Sequence, residues 1–272
     1  MLSDITIGQY FPGKSIIHRL DPRMKIVLTL AFIVMLFLAK SLAALAVGVV
    51  FIVAAYVLSR VPLKMILKSL KPVIPIVIFT AILNMFFIEG DPFIIIWKLT
   101  ISREGVYTAA LMVVRIIFLI GGSSLLTYTT SPIMLTDGIE RLMSPLKAIK
   151  LPVHELAMMM TIALRFIPTL IEETDKIMSA QKARGADMEH GNILQRAKAL
   201  VPILIPLFVS AFRRADELAL AMECRCYRGG SGRTRMKQLK LAPADFIAAA
   251  IVAVFIAGVV LVNIFVTPLV AI

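Results

Sequence analysis

The chain has 272 residues, 59% of them apolar, and a mean hydropathy of +0.90. Soluble domains run about 45–50% apolar and about 25% charged; with only 17% charged residues here, a soluble globular protein is excluded and an integral membrane protein is implied. The net charge of +12 fits the Lys and Arg excess that membrane proteins keep on their inner side, and no aromatic-basic platform accompanies it that would bind nucleic acid.

Residues 1–25 form a polar lead-in ending in Leu20-Asp21-Pro22-Arg23-Met24-Lys25. A cleavable signal peptide is not expected, because Asp4 lies early and the first apolar run starts near Ile26. That run, Ile26–Ala39, is followed after Lys40-Ser41 by Leu42–Leu58, which predicts a tight helical hairpin or one broken helix. The first run falls short of the roughly 20 residues of a full span, but Lys25 and Lys40 can snorkel at its ends. A basic loop follows, with Arg60, Lys64, Lys68 and Lys71. The third apolar run is Val73–Ile88, with Pro75 near its start, where a missing N–H costs little. Residues 89–105 predict a loop with an amphipathic piece around Trp97, a residue suited to the membrane interface.

The fourth run, Val106–Tyr128, carries Arg115 and the Gly121-Gly122-Ser123-Ser124 stretch. Small residues there permit close helix packing. An ionisable side chain within a span is a functional candidate by default; equally, Arg115 can pair with a backbone carbonyl to fix packing. The last run is Phe246–Val266.

Residues 131–243 differ: they hold 17 of the 29 basic and 11 of the 17 acidic residues. Apolar positions recur at helical spacing from Leu156 to Leu170 and from Ile203 to Ala211, predicting a short helix over 132–148 and long ones over 154–186 and 193–227. Pro168, Pro202 and Pro206 should bend the long ones. The expected fold is therefore all-α, with about five transmembrane helices and a coupling region of one short and two long helices. Its parts are residues 1–130 with membrane helices 1–4, the coupling segment 131–243, and a final membrane helix in 244–272. Loop 60–71 has four basic residues and no acid, whereas 89–105 is mixed. The positive-inside rule then puts the N-terminus and residues 131–243 in the cytoplasm and the C-terminus outside.

Two short motifs stand out at the ends of the two long helices, with their arginines 41 residues apart: Ala183-Arg184-Gly185 and Cys224-Arg225-Cys226. Small neighbours leave each guanidinium free to enter a groove, and its fork of donors suits a carboxylate. One such helix end could simply favour the helix dipole and anionic lipid. Two in the same segment point to docking on two sites of a cytosolic partner. The two cysteines are too few for a disulfide framework or a metal site. His18, His154 and His190 lack ligand spacing, no phosphate loop or catalytic set is expected, and no cofactor is implied. Met158-Met159-Met160 reads as core filling, or as an adaptable surface for several partners.

Together these motifs resemble the T component, the transmembrane coupling subunit of energy-coupling factor (ECF) transporters, a family related to CbiQ-type permeases. The resemblance covers nearly the whole length, through Leu20-Asp21-Pro22-Arg23-x-Lys25, Ala163-Leu164-Arg165-Phe166-Ile167-Pro168, Ala180-Gln181-x-Ala183-Arg184-Gly185, and Arg213-Arg214-Ala215 to Ala221-Met222-Glu223. The family's signature is two Ala-Arg-Gly motifs. The second departs here to Cys224-Arg225-Cys226, which puts in question a left-handed helix end at 226. The resemblance implies a non-catalytic subunit of a vitamin or micronutrient importer in the cell membrane. Its partners would be two ABC ATPases, docked by the two Arg motifs, and a small substrate-binding S component. Asp21, Pro22, Arg23, Arg115, Met158, Met159, Arg165 and Pro168 become candidates for structural or S-component contacts. A dedicated cobalt, nickel or biotin permease is the alternative within the family; a membrane anchor with lipid-binding basic helices is the alternative outside it.

Overall fold

The computed structural model describes residues 10–88, 92–96, 99–186, 192–229 and 238–270. They fall into two compact units, one built from 10–138 with 238–270 and the other from 139–229. The protein is an all-α membrane protein with one small hairpin.

The first unit opens with α1 (Ile16–Arg19), capped by Ser15. Asp21 caps α2 (Pro22–Leu38) and Pro22 fills its first turn, where the missing N–H is harmless. Ser41 caps α3 (Leu42–Ser59), which ends on Arg60 in a left-handed conformation. The basic stretch expected as a loop instead forms α4 (Leu63–Leu70). Leu63 and Leu67, one turn apart, share an exposed apolar side, as in a helix lying along the membrane surface. α5 (Ile74–Phe87) follows at a 57° bend. The predicted 89–105 loop contains a two-stranded hairpin, β1 (Pro92–Ile96) and β2 (Leu99–Ser102), with Ile94 opposite Ile101. Its Trp97 lies outside the described residues. α6 (Arg103–Thr129) is capped by Ser102, and α10 (Pro243–Val270) completes the unit.

α3, α6 and α10 are long and apolar enough to cross a membrane, as is α8 (Val153–Ala183) of the second unit; the bent pair α4–α5, taken as one broken span, would be a fifth. α2, with 17 residues, sits at the short end of the roughly 17–25 that span a bilayer. Its Phe32, Met35 and Leu36 pack against Leu45 and Ile52 of α3, Leu125 of α6 and Val259 of α10. In lipid such contacts gain from close packing rather than from leaving water. Gly122 provides it: a Cβ there would stand 2.3 Å from the Phe32 ring. The small-residue stretch in α6 thus packs closely, as its composition predicts.

The break between α2 and α3 explains Arg115. A chain break near hydrocarbon leaves backbone groups open, each costing several kcal/mol. Here the Arg115 guanidinium donates to the Ala39 carbonyl at 2.6 Å, and Asn263 donates to the Leu38 carbonyl at 2.6 Å. Asn263 also accepts from the Lys40 N–H, and the Tyr107 hydroxyl accepts from the Leu42 N–H. This contact of Arg115 is the carbonyl pairing that its packing role calls for.

Candidate functional site: two arginine-tipped helices

The second unit contains the end of α7 (Pro132–Leu142), a 3-10 turn (Ser144–Ile149), α8 (Val153–Ala183) and α9 (Ile193–Cys224). The short helix expected over 132–148 is thus divided. The long helices stop at 183 and 224, a few residues earlier than expected. His154, near the start of α8, contacts Glu140 of α7 at 3.1 Å.

Three cross-links set the relation of α8 to α9. Glu173 accepts from the Ser210 hydroxyl and from the Arg214 guanidinium. Gln181 Nε2 donates to the Pro202 carbonyl at 3.3 Å. The Tyr227 hydroxyl donates to Met158 Sδ at 3.1 Å. As the α8 partner advances from 158 to 173 to 181, the α9 partner retreats from 227 to 210 to 202. The helices therefore run antiparallel, and the two arginine tips stand at opposite ends of the pair. The Gln181 contact has a covalent origin. Pro206 has no N–H to offer the carbonyl four residues back, which is that of Pro202, and the Gln181 amide takes it instead.

Both tips end in the same backbone motif. At the first, the Gly185 N–H donates to the Lys182 carbonyl and the Ala186 N–H to the Gln181 carbonyl, both at 3.0 Å. At the second, the Cys226 N–H donates to the Glu223 carbonyl at 2.8 Å and the Tyr227 N–H to the Met222 carbonyl at 3.0 Å. This is the Schellman helix end, with Arg184 and Arg225 in the capping position and the next residue left-handed. Gly185 has φ +87 and Cys226 φ +55. The left-handed end that the loss of glycine put in question is kept, at a cost of about 1 kcal/mol for a side chain in that region. Ala183, Arg184, Gly185, Cys224, Arg225 and Cys226 are all exposed.

The other candidates separate into buried and exposed. Asp21 is buried and accepts from the Arg23 N–H and, through both oxygens, from the Arg23 guanidinium. Arg23 also reaches the Leu239 carbonyl. Pro22 is buried under Gly138. These three, with Lys25, tie the start of α2 to its neighbours, so their geometry is structural. Arg165, Pro168 and Met159 are exposed on α8, while Met158 is half-buried under Tyr227. The sequence reading gave no role to Glu173, Tyr227 and Asp245, and quoted Gln181 and Arg214 within motifs without their cross-helix contacts. One signal was available: Glu173 precedes Arg184, and Arg214 precedes Arg225, by 11 residues, about three helical turns. For Asp245 the bond back to the Ala242 N–H, three residues earlier at the start of α10, was legible as an acidic residue in a first helical turn; its bond to the Asp21 N–H, 224 positions away, was not.

Residues 13–237 match the family described as CbiQ, cobalt transport protein. Among curated proteins, the chain is 60% identical over 251 residues to the energy-coupling factor transporter transmembrane protein EcfT of Clostridium kluyveri, covering 92% of this chain and 93% of that one. It is 57% identical to the protein of the same name from Thermosediminibacter oceani, covering 93% and 97%. To that of Lactococcus lactis it is 47% identical, covering 90% and 92%.

Proposed function

Because the chain belongs to the CbiQ cobalt transport protein family, we propose that it couples two ABC ATPases to a small substrate-binding membrane protein in a vitamin or micronutrient importer. The observation that carries this is the pairing of two exposed arginines in one capping geometry at opposite ends of an antiparallel helix pair. Two equivalent contacts suit two ATPase subunits. Hydrolysis belongs to those partners, and α8 and α9 relay their motion. The exposed apolar residues Leu156, Met159, Met160, Leu204 and Phe208 offer the S component a surface. The exposed Met159 and Met160, which repack easily, suit a coupling subunit shared among several S components; the family's cobalt name favours a dedicated one. Recovering several different small membrane proteins with the tagged chain supports the first, and recovering one supports the second.

Docking of the second tip is read directly from its thiols. Cys224 and Cys226 are free and exposed. Maleimide labels both in the isolated subunit and labels them several-fold more slowly in the ATPase-bound complex. Equal rates in both states would remove this tip from the interface.

Orientation is read from single cysteines in a background lacking Cys224 and Cys226. Lys68 and Arg103 are exposed, so Lys68→Cys should react with an impermeant reagent only after permeabilisation and Arg103→Cys in intact cells. The reverse pattern would place both arginine tips outside the cytoplasm.

A further inference from the structure

An apolar cavity of 440 Å³ lies in the first unit, among α1, α2, α3, α6 and α10. Its volume is in the range of small-molecule sites, about 300–1,000 Å³. Ala244 lines one end and Phe255 the other, 11 residues apart on α10 and hence about 16 Å in length. Phe32 closes the deep end; Lys25 and Thr129 line the shallow end. The side wall is open: the lining residues Leu58 of α3 and Ile247 and Ile251 of α10 are 54%, 61% and 47% exposed. These helices are membrane spans, so the opening faces the bilayer rather than water.

An empty apolar void forfeits dispersion contacts on every wall, and apolar cavities do not hold water well. A long, narrow, laterally open slot among membrane helices suits a flexible hydrocarbon chain. The shallow end adds charge. Lys25 Nζ donates to the carbonyls of His18 at 3.1 Å and Thr129 at 2.8 Å, and an ammonium has a third N–H. Lys14, Arg19 and Arg60 are exposed, each within two residues of a lining residue, Ile16, Leu20 or Leu58. The nearby acids Asp21 and Asp245 are already held by Arg23 and backbone N–H groups. We propose that this cavity binds one acyl chain of an anionic phospholipid, with the headgroup on the basic rim formed by Lys14, Arg19 and Arg60.

The test uses the full chain in phosphatidylcholine vesicles carrying a trace of phosphatidylglycerol with a photoactivatable group on its acyl chain. Label mapped by mass spectrometry should favour Phe32 and Phe255 over the outward-facing Val34 and Val50 by about tenfold. Ala55→Trp and Ala248→Phe, each filling the slot from a different helix, should erase that preference and leave labelling of Val50 unchanged. Lys14→Gln with Arg19→Gln should reduce it several-fold, and the matching phosphatidylcholine probe should show little preference. Even labelling of cavity and outer faces, or a preference that survives both filling variants, overturns the acyl site. Equal cavity labelling by the two probes overturns the anionic headgroup.

Discussion

Replacing both Arg184 and Arg225 with Glu should abolish substrate uptake and recovery of the ATPase pair, while the protein still inserts and folds. Both side chains are exposed, and the helix ends they cap are held by backbone hydrogen bonds that the substitution leaves intact. The loss therefore falls on the partner. Removing one member of a desolvated charge pair typically costs about 2–5 kcal/mol, much of it in the charge left stranded. Reversing the sign adds repulsion. At about 1.4 kcal/mol per tenfold, each single change should weaken association at least about thirtyfold, and the double change should remove it. Lys should rescue poorly, because it keeps the charge and loses the two-pronged donor. A lipid anchor predicts the opposite: charge alone would matter, Lys would suffice, and assembly would survive. Co-purification and uptake with the Lys, Glu and double-Glu variants decide between these, and undiminished function in the double-Glu protein would refute the docking role.

Asp245→Ala should be the most damaging single change to stability. The carboxylate is 1% exposed. One oxygen accepts from the Asp21 N–H at 2.8 Å and the other from the Ala242 N–H at 2.7 Å. It thus joins the start of α2 to the start of α10. Truncation strands the buried Asp21 N–H, frees the Ala242 N–H at the exposed start of α10 and removes a compensating charge near buried Lys25, a loss of about 3 kcal/mol. Asn is a poor substitute, since its NH₂ group would face an N–H. The check is thermal unfolding in detergent, with Asp216→Ala as the control. Asp216 is exposed, and such changes stay within about 0.5 kcal/mol. Equal melting of the two variants would show that the buried carboxylate does not hold the unit together.

α3, α6 and α10 were legible because their apolar runs are long and end at charged or capping residues; α8, read from its interrupted apolar pattern as a coupling helix, also contains a stretch apolar enough to span. α4 was masked by Arg60, Lys64, Lys68 and Lys71, which also suit a loop, although Leu63, Ile66, Leu67 and Leu70 recur at helical spacing and mark it. The hairpin after α5 was hidden because five-residue apolar stretches such as Pro92–Ile96 fit either a strand or a helix turn. At the candidate site, both arginines were evident from their small neighbours. Their opposite placement was not, since it depends on the antiparallel packing of α8 and α9. Nor could sequence alone show that Cys226 adopts a conformation usually left to glycine. Arg115 remained ambiguous for the same reason: the carbonyl it bonds lies 76 positions away.

The contact of Glu173 with Arg214 also has a mechanical meaning. It lies 11 residues before each tip, so the pair is a lever with two equal arms of about 16 Å on either side of a charged pivot. The Gln181 amide, held in the gap left by Pro206, and the Tyr227–Met158 contact resist sliding of one helix along the other. If the tips dock as proposed, a push at one would turn the pair rather than slide it, and equal arms would give equal strokes. A change in the spacing between pivot and tip, such as one residue inserted between Arg214 and Arg225, would turn that guanidinium by about 100° and unbalance the two strokes without removing any charge.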